Sequence, residues 1–241
     1  MIKIEIDTHT HTLVSGHAYS TMKEMTQAAE EKGLKGLAIT DHAPDMPGST
    51  NIFYFQNLQV VPRKRGAIEL LLGSELNIRN EAGEVDLPES VLKSLDITIA
   101  SIHRPCYKGE AEKDRITKAY LRAMENPYID IIGHPDDGRY PVDYEELVKK
   151  AKETGTLLEV NNSSLRPGGF RENARDNILE MLGYCKKYEA MVVLNTDAHV
   201  DAAIADCSCI EELLEETDFP KELIANLTLK RLKASLKRTK K

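Results

Sequence analysis

Ile2-Lys3-Ile4-Glu5-Ile6-Asp7-Thr8-His9-Thr10-His11 opens the chain with an apolar residue at every second position, then two histidines two apart. Strict alternation of this kind predicts a half-buried β-strand. Side chains two residues apart on a strand share a face, so His9 and His11 aim two imidazoles at one point. Imidazole is a good ligand for zinc and neighbouring transition metals. Spacing alone does not separate a metal pair from two ordinary polar residues, so the rest of the chain decides.

Outward from this strand, the pattern alternates. Thr21-Met22-Lys23-Glu24 is a capping-box sequence that opens a helix, and Gly33 stops it. Residues 36–40 read as a second strand, and 53–61 as a helical stretch limited by Pro62. A third strand over 67–72 continues through Glu75 towards a hairpin at Asn80-Glu81-Ala82-Gly83. Further strands are predicted at 96–101, 129–132, 156–160 and 191–194. Helices fill the gaps: 112–125, ended by Asn126-Pro127; a segment with Tyr144, Leu147, Val148 and Ala151 on one face, closed by Gly155; one lined by Ala174, Ile178, Met181, Leu182 and Cys185; and one over 202–216. Residues 229–241 read as a basic helical end facing solvent.

Short strands rich in Ile, Val and Leu, alternating with helices, predict a parallel sheet covered on its outer side. Seven such units in 241 residues predict an α/β fold closed as a single-domain, distorted TIM-like barrel, a seven-stranded relative of the (β/α)₈ type. The domain spans 1–241, with a core over 1–216 and a C-terminal helical tail over 217–241. A doubly wound open sheet is the alternative.

The formal net charge of −7 argues against an extended nucleic-acid track or a basic membrane face. No apolar run approaches the roughly 20 residues of a membrane span. The first residues lead directly into a strand, without a signal-peptide pattern. The cysteines (Cys106, Cys185, Cys207, Cys209) form no CxxC pair, which points to a reduced, cytoplasmic setting. Homo-oligomerisation stays open.

The histidines carry the argument. Of seven, all but His17 fall at or just beyond the C-terminal end of a predicted strand: His9, His11, His42, His103, His134 and His199. The C-terminal rim is where barrels build their sites. Glu75 and Asp197 share that placement. Seven imidazoles and two carboxylates exceed the three or four protein ligands of one zinc ion and suffice for two or three ions.

Asp7-x-His9-x-His11, Thr40-Asp41-His42, Gly73-x-Glu75, His103, Gly133-His134-Pro135 and Asp197-x-His199 resemble, in order, the signature of the PHP (polymerase and histidinol phosphatase) superfamily. His17-Ala18-Tyr19-Ser20 and Asn161-Asn162-Ser163-Ser164 resemble its single-domain, YcdX-like phosphoesterase branch. The resemblance implies a distorted (β/α)₇ barrel with three divalent metal ions, usually zinc, with manganese or iron in relatives. Carried over position by position, it gives one ion to His9, His11, Glu75 and Asp197. A second goes to Glu75, His103 and His134, and a third to His17, His42 and His199.

The chemistry expected there is attack of metal-bound hydroxide on a small phosphate monoester, such as a phosphorylated metabolite. Arg104 and Arg166 are candidate phosphate clamps, with Arg139 beyond them. Asp41 suits a proton donor to the leaving group or, equally, a loop cap. Asp7 and Asp41 also suit a role in fixing imidazole tautomers, and Asn161 and Asn162 one in bonding metal-bound water or a ligand carboxylate. The competing readings are a 3′-end nuclease or phosphodiesterase, a catalytically silent metal-binding protein, and an amidohydrolase-type barrel.

Overall fold

The computed structural model describes residues 2–237. Seven parallel strands run in sequence order round a nearly closed barrel: β1 (Ile6–Asp7), β2 (Gly36–Ile39), β4 (Ile68–Asn77), β5 (Ile97–Ser101), β6 (Ile131–Ile132), β7 (Leu157–Asn161) and β8 (Val192–Asn195). A short strand, β3 (Lys64–Arg65), pairs antiparallel with β4. The helices are α1 (Met22–Glu31), α2 (Ile52–Asn57), α3 (Glu89–Leu92), α4 (Lys113–Glu125), α5 (Tyr144–Thr154), α6 (Ala174–Tyr188), α7 (Ser208–Glu216) and α8 (Leu229–Ser235). This is the distorted (β/α)₇ barrel that the sequence predicts. Among the described residues, no helix is long and apolar enough to cross a membrane.

Local signals act as expected. Thr21 Oγ1 accepts the Glu24 N–H, and the Glu24 carboxylate accepts the Thr21 N–H, so the capping box closes α1 at its start. Tyr144, Leu147, Val148 and Ala151 form the buried face of α5, and Gly155 ends it at φ 69°. The turn after β4 folds back so that Ile78 bridges Val85.

Period two sorts each strand's residues between two cores. Leu37, Ile39, Leu70, Leu72, Leu158 and Leu194 belong to the large cluster under the helices. Ile6, Ala38, Leu71, Ile97, Ile99, Ile131, Leu157 and Val193 form a second cluster that fills the barrel. The inward parity turns polar towards each C-terminal end: Leu71-Gly73-Glu75, Ile99-Ser101-His103, Leu157-Glu159-Asn161, Val193-Asn195-Asp197. One face of each strand therefore supplies an apolar floor and then a polar mouth. Two glycines let the strands come close enough: a Cβ on Gly73 would sit 2.1 Å from the Ile97 carbonyl oxygen, and one on Gly133 2.2 Å from Ser101 Oγ.

The distortion lies at the seam between β1 and β8, where the described residues pair only through a bridge between Thr10 and Ala198, just beyond the two strands. Lower down, the Asn226 side chain spans the gap: its Nδ2 donates to the Ile6 and Leu194 carbonyls, and its Oδ1 accepts the Leu194 N–H.

Three expectations need correction. The opening strand is shorter than the alternation over residues 2–6 predicts: β1 is only Ile6–Asp7, and the Glu5 N–H goes instead to the Asn226 carbonyl. The tail is not a solvated helix. Ala225, Leu232 and Leu236 join the barrel-filling cluster, and Lys237 is buried with its ammonium on the Met124 carbonyl. The basic residues misled because Leu229, Leu232 and Leu236 recur at helical spacing between them. Only Leu229–Ser235 is α-helical, and residues 238–241 of the predicted tail lie outside those described. The single helix over 202–216 is in fact two pieces. Asp201–Ala203 is one 3₁₀ turn; Ala205 then turns left-handed at φ 57°, and α7 begins at Ser208. Asp7 accepts the Ala205 N–H, and Asn162 Oδ1 accepts the N–H groups of Cys209 and Ile210, so capping contacts fix the break.

Candidate metal centre

Glu75, fully buried on β4, is the middle of the site. Its Oε1 lies 2.9 Å from His134 Nε2 and 3.2 Å from His103 Nε2. Its Oε2 lies 2.7 Å from His42 Nδ1, 3.4 Å from His9 Nε2 and 3.5 Å from His11 Nε2. Asp197 faces it across the barrel, with Oδ1 3.3 Å from His11 Nε2, 3.6 Å from His9 Nε2 and 3.5 Å from His199 Nδ1. His17, exposed at the edge, brings its Nε2 to 3.2 Å from His42 Nε2. Neighbouring imidazole rings lie 4.3 to 6.0 Å apart between centroids. The nine candidate ligands thus meet in one place.

Backbone strain accompanies two of them. His134 (φ 28°) and Asp197 (φ 54°) have positive φ, which non-glycine residues rarely adopt and which costs roughly 1–3 kcal/mol each. The His134 N–H donates to Glu159 at 2.7 Å, and Arg171 grips Asp197 at 2.9 Å, so neighbours hold both in place.

The hydrogen bonds on the far side of the rings set their tautomers. His9 Nδ1–H donates to the Glu159 carboxylate (2.7 Å), His103 Nδ1–H to Asn77 Oδ1 (2.7 Å) and His199 Nδ1–H to the Asp197 carbonyl (2.8 Å). Ser15 Oγ gives its proton to Asp41 (2.7 Å) and therefore accepts from His11 Nδ1–H (3.0 Å). These bonds place a proton on Nδ1 of each of the four rings, so that in the neutral ring the lone pair is on Nε2. In His9, His11 and His103 that lone pair faces Glu75.

Four buried atoms there, His9 Nε2, His11 Nε2, His42 Nδ1 and Glu75 Oε2, have no hydrogen-bond partner among the described residues. Three groups bring ligand atoms within 4.8 Å of one another: His11, His42 and His199; His9, His11 and Glu75; and His42, Glu75 and His103. Buried lone pairs from nitrogen and carboxylate oxygen, converging with no donor between them, fit divalent cations.

The electrostatics divide the rings. Burial, followed by neighbouring imidazolium charge, pushes the pKa of His11 well down; burial lowers those of His17, His42 and His134. Burial opposes ionisation of Glu75 and Asp197, but the surrounding imidazoles outweigh it and hold both carboxyls well below their usual range. Burial also works against His9, and the carboxylates of Glu159, Glu75 and Asp197 overcome it, raising its pKa.

A comparison with known families matches residues 7–196 to the PHP domain. The chain belongs to the PHP family. It is 47% identical over 226 residues to a probable phosphatase of Caldicellulosiruptor saccharolyticus, covering 94% of this chain and 93% of that one. It is 45% identical over 237 residues to a probable phosphatase of Clostridium novyi, covering 98% and 96%. Among solved structures, the fold resembles a histidinol phosphate phosphatase of Lactococcus lactis, solved with zinc, L-histidinol and phosphate. That match has a TM-score of 0.62 at 17% identity, over 91% of this chain and 95% of that one.

Around this PHP centre, the other nominated residues separate. Arg104, Arg139 and Arg166 all line the cleft above the cluster, a cavity of about 560 Å³. Arg139 is held by Asp137 and Arg166 by Asp206. Asp41 is buried away from the cleft and accepts from the Thr12 N–H, Thr12 Oγ1, Ser15 Oγ and the Tyr54 hydroxyl. Its contact with the ligands runs through Ser15 to His11. Asp7 touches no imidazole; it ties Thr196 and Ala205 to β1. Asn161 donates to Glu159 and to Asp197 Oδ2, whereas Asn162 caps α7.

Sequence reasoning missed Glu159 and Arg171. Glu159 is wholly buried and accepts from His9, His134, Asn161 and Asn195. Its signal was a charged residue inside the apolar strand Leu157-Leu158-Glu159-Val160. Arg171 follows the Gly168-Gly169 loop and reaches back to Ser164 Oγ and Asp197. No local pattern marks it out.

Proposed function

We propose that this protein, a PHP-family phosphatase, hydrolyses a small phosphate monoester at a centre of three divalent ions, zinc foremost, with manganese or iron as alternatives. The carrying observation is the convergence of seven imidazoles with Glu75 and Asp197, including four buried ligand-type atoms that have no hydrogen-bond partner among the described residues. His9, His11, Glu75 and Asp197 would hold one ion, Glu75, His103 and His134 a second, and His17, His42 and His199 a third. Ions so held would supply a nucleophile at neutral pH and would offset charge on the phosphoryl oxygens.

The chain's own residues do the rest. Glu159, Asn77 and the Asp41–Ser15 pair hold the imidazoles in the ligating tautomer. Asp41 is thereby a positioning residue, since its carboxylate already accepts four donors. Arg171 fixes Asp197 Oδ2, leaving Oδ1 to the ligand cluster. Arg104 and Arg166 bring positive charge to the cleft walls, where an anionic substrate enters. The cavity volume of about 560 Å³ is in the range of small-molecule pockets. The zinc, L-histidinol and phosphate in the Lactococcus lactis neighbour support a small-molecule substrate here. The four cysteines are free, which fits a reduced, cytoplasmic setting.

Elemental analysis of purified protein together with p-nitrophenyl phosphate hydrolysis tests this reading. Close to three ions per chain and monoester turnover are expected. Turnover of bis(p-nitrophenyl) phosphate without the monoester would replace it with a diesterase, and bound metal without either activity would replace it with a silent metal-binding protein.

A further inference from the structure

Four arginines line the cleft above the ligand cluster: Arg104, Arg139, Arg166 and Arg171. Three have their charge met within the protein. Arg171 pairs with Asp197 Oδ2 at 2.9 Å, and Arg166 with Asp206 at 3.0 Å. Arg139 Nε donates to both Asp137 oxygens, at 2.9 and 3.0 Å. Arg104 alone has no acidic partner within ion-pair distance among the described residues.

Position separates it further. Arg171, with its side chain only 7% exposed, sits beside the ligand Asp197, where the scissile phosphate belongs. Arg104 is exposed at the mouth, one residue beyond His103. Apolar side chains form part of the cavity wall: Ile102, Pro105 and Phe170. Phe170 is 70% exposed yet held in place, with the Arg139 and Arg171 guanidiniums 5.0 and 5.4 Å from its ring centre. A phosphate on the cluster leaves most of the cavity for a carbon skeleton along that wall, ending at an uncommitted guanidinium.

The geometry points to Arg104 as the anchor for a second anionic group, making the substrate an organic phosphate whose skeleton ends in another phosphate or carboxylate. This rests on the phosphatase reading of the same site. It adds a requirement that reading does not contain: preference for a doubly anionic substrate, set by a residue outside the ligand cluster.

The test uses metal-loaded protein and matched probes. Initial rates are measured on alkyl monophosphates, α,ω-alkanediol bisphosphates and ω-(phosphooxy)alkanoates of three to six carbons. Calorimetry measures binding of the corresponding alkylphosphonates and α,ω-alkanediphosphonates, which are not hydrolysed. A second anion at the fitting length should improve kcat/KM by about 10-fold or more, chiefly through KM, and tighten phosphonate binding similarly. Arg104→Gln should collapse both preferences, and Arg104→Lys should restore part of them. Comparing bisphosphates with phosphocarboxylates tells which anion is taken. Equal losses for singly and doubly charged probes in Arg104→Gln would overturn the inference, placing Arg104 on the scissile phosphate. Turnover without any preference also overturns it while leaving the phosphatase reading intact. An Arg104-dependent binding preference without turnover keeps the second-anion site and refutes the phosphatase.

Discussion

Replacing Glu159 by glutamine removes a charge from the barrel interior while keeping its shape. Each carboxylate oxygen accepts two donors: Oε1 takes His9 Nδ1–H (2.7 Å) and Asn195 Nδ2 (2.8 Å), and Oε2 takes the His134 N–H (2.7 Å) and Asn161 Nδ2 (3.0 Å). Glutamine supplies an acceptor at only one of the two places. Whichever way it turns, its NH₂ faces two donors. Two buried donors left unpaired cost about 1–3 kcal/mol each, so the fold should lose about 2–6 kcal/mol. If the NH₂ meets His9, the ring is also driven towards the wrong tautomer; if it meets His134, the strained turn that presents that ring loses its tether. Loss of such an outer contact typically weakens a metal site by about 10–100-fold. Urea denaturation and zinc titration against a competing chromophoric chelator read the two effects separately. A variant within about 0.5 kcal/mol of the parent, binding zinc within about twofold, would refute the role given to Glu159.

Asn226→Ala strips the side chain that joins Ile6 and Leu194 across the seam, and should cost about 2–4 kcal/mol by denaturant titration, mostly from the unpaired Leu194 N–H. Gly133→Ala should destabilise by about 1–3 kcal/mol and lower zinc occupancy, because its Cβ would lie 2.2 Å from Ser101 Oγ beside the ligand His134. Chelator-stripped protein should lose phosphatase activity and melt at a lower temperature, both restored by zinc, since ions bound only to the native state stabilise it. Acid should release the metal, because protonation competes for the imidazole lone pairs. Burial lowers the pKa values of His11, His17, His42 and His134 and so resists that release, whereas the carboxylates around His9 raise its pKa and favour it, so zinc occupancy should fall progressively as the pH drops through the histidine range.

The candidate ligand set was legible because barrels place chemistry at strand ends, and strand ends are the most readable feature of an α/β sequence. Ile131-Ile132-Gly133-His134 and Ile97 to His103 announce both the strand and the residue it delivers. The capping box at Thr21 and the stop at Gly155 depend on neighbours a few residues away, and both hold. What the sequence hid depends on distant partners. The break at Ala205 is fixed by Asp7 and Asn162, and the burial of the basic tail by an opening that exists only once seven strands have closed around it. Arg171 lies 26 residues before the Asp197 it grips, and Asp41 acts on His11 through a serine. Glu159 could have been caught: an ionisable residue inside an apolar parallel strand has to be paired.

The strand-end imidazoles, with Glu75 and Asp197, are proposed to share one group of ions. Anomalous diffraction at the zinc edge from crystals of the zinc-loaded protein tests it most directly. Three peaks should appear inside the ring of His9, His11, His17, His42, Glu75, His103, His134, Asp197 and His199, with Zn–N distances of about 2.0–2.1 Å. Peaks elsewhere on the molecule, or none among these nine side chains, would contradict it.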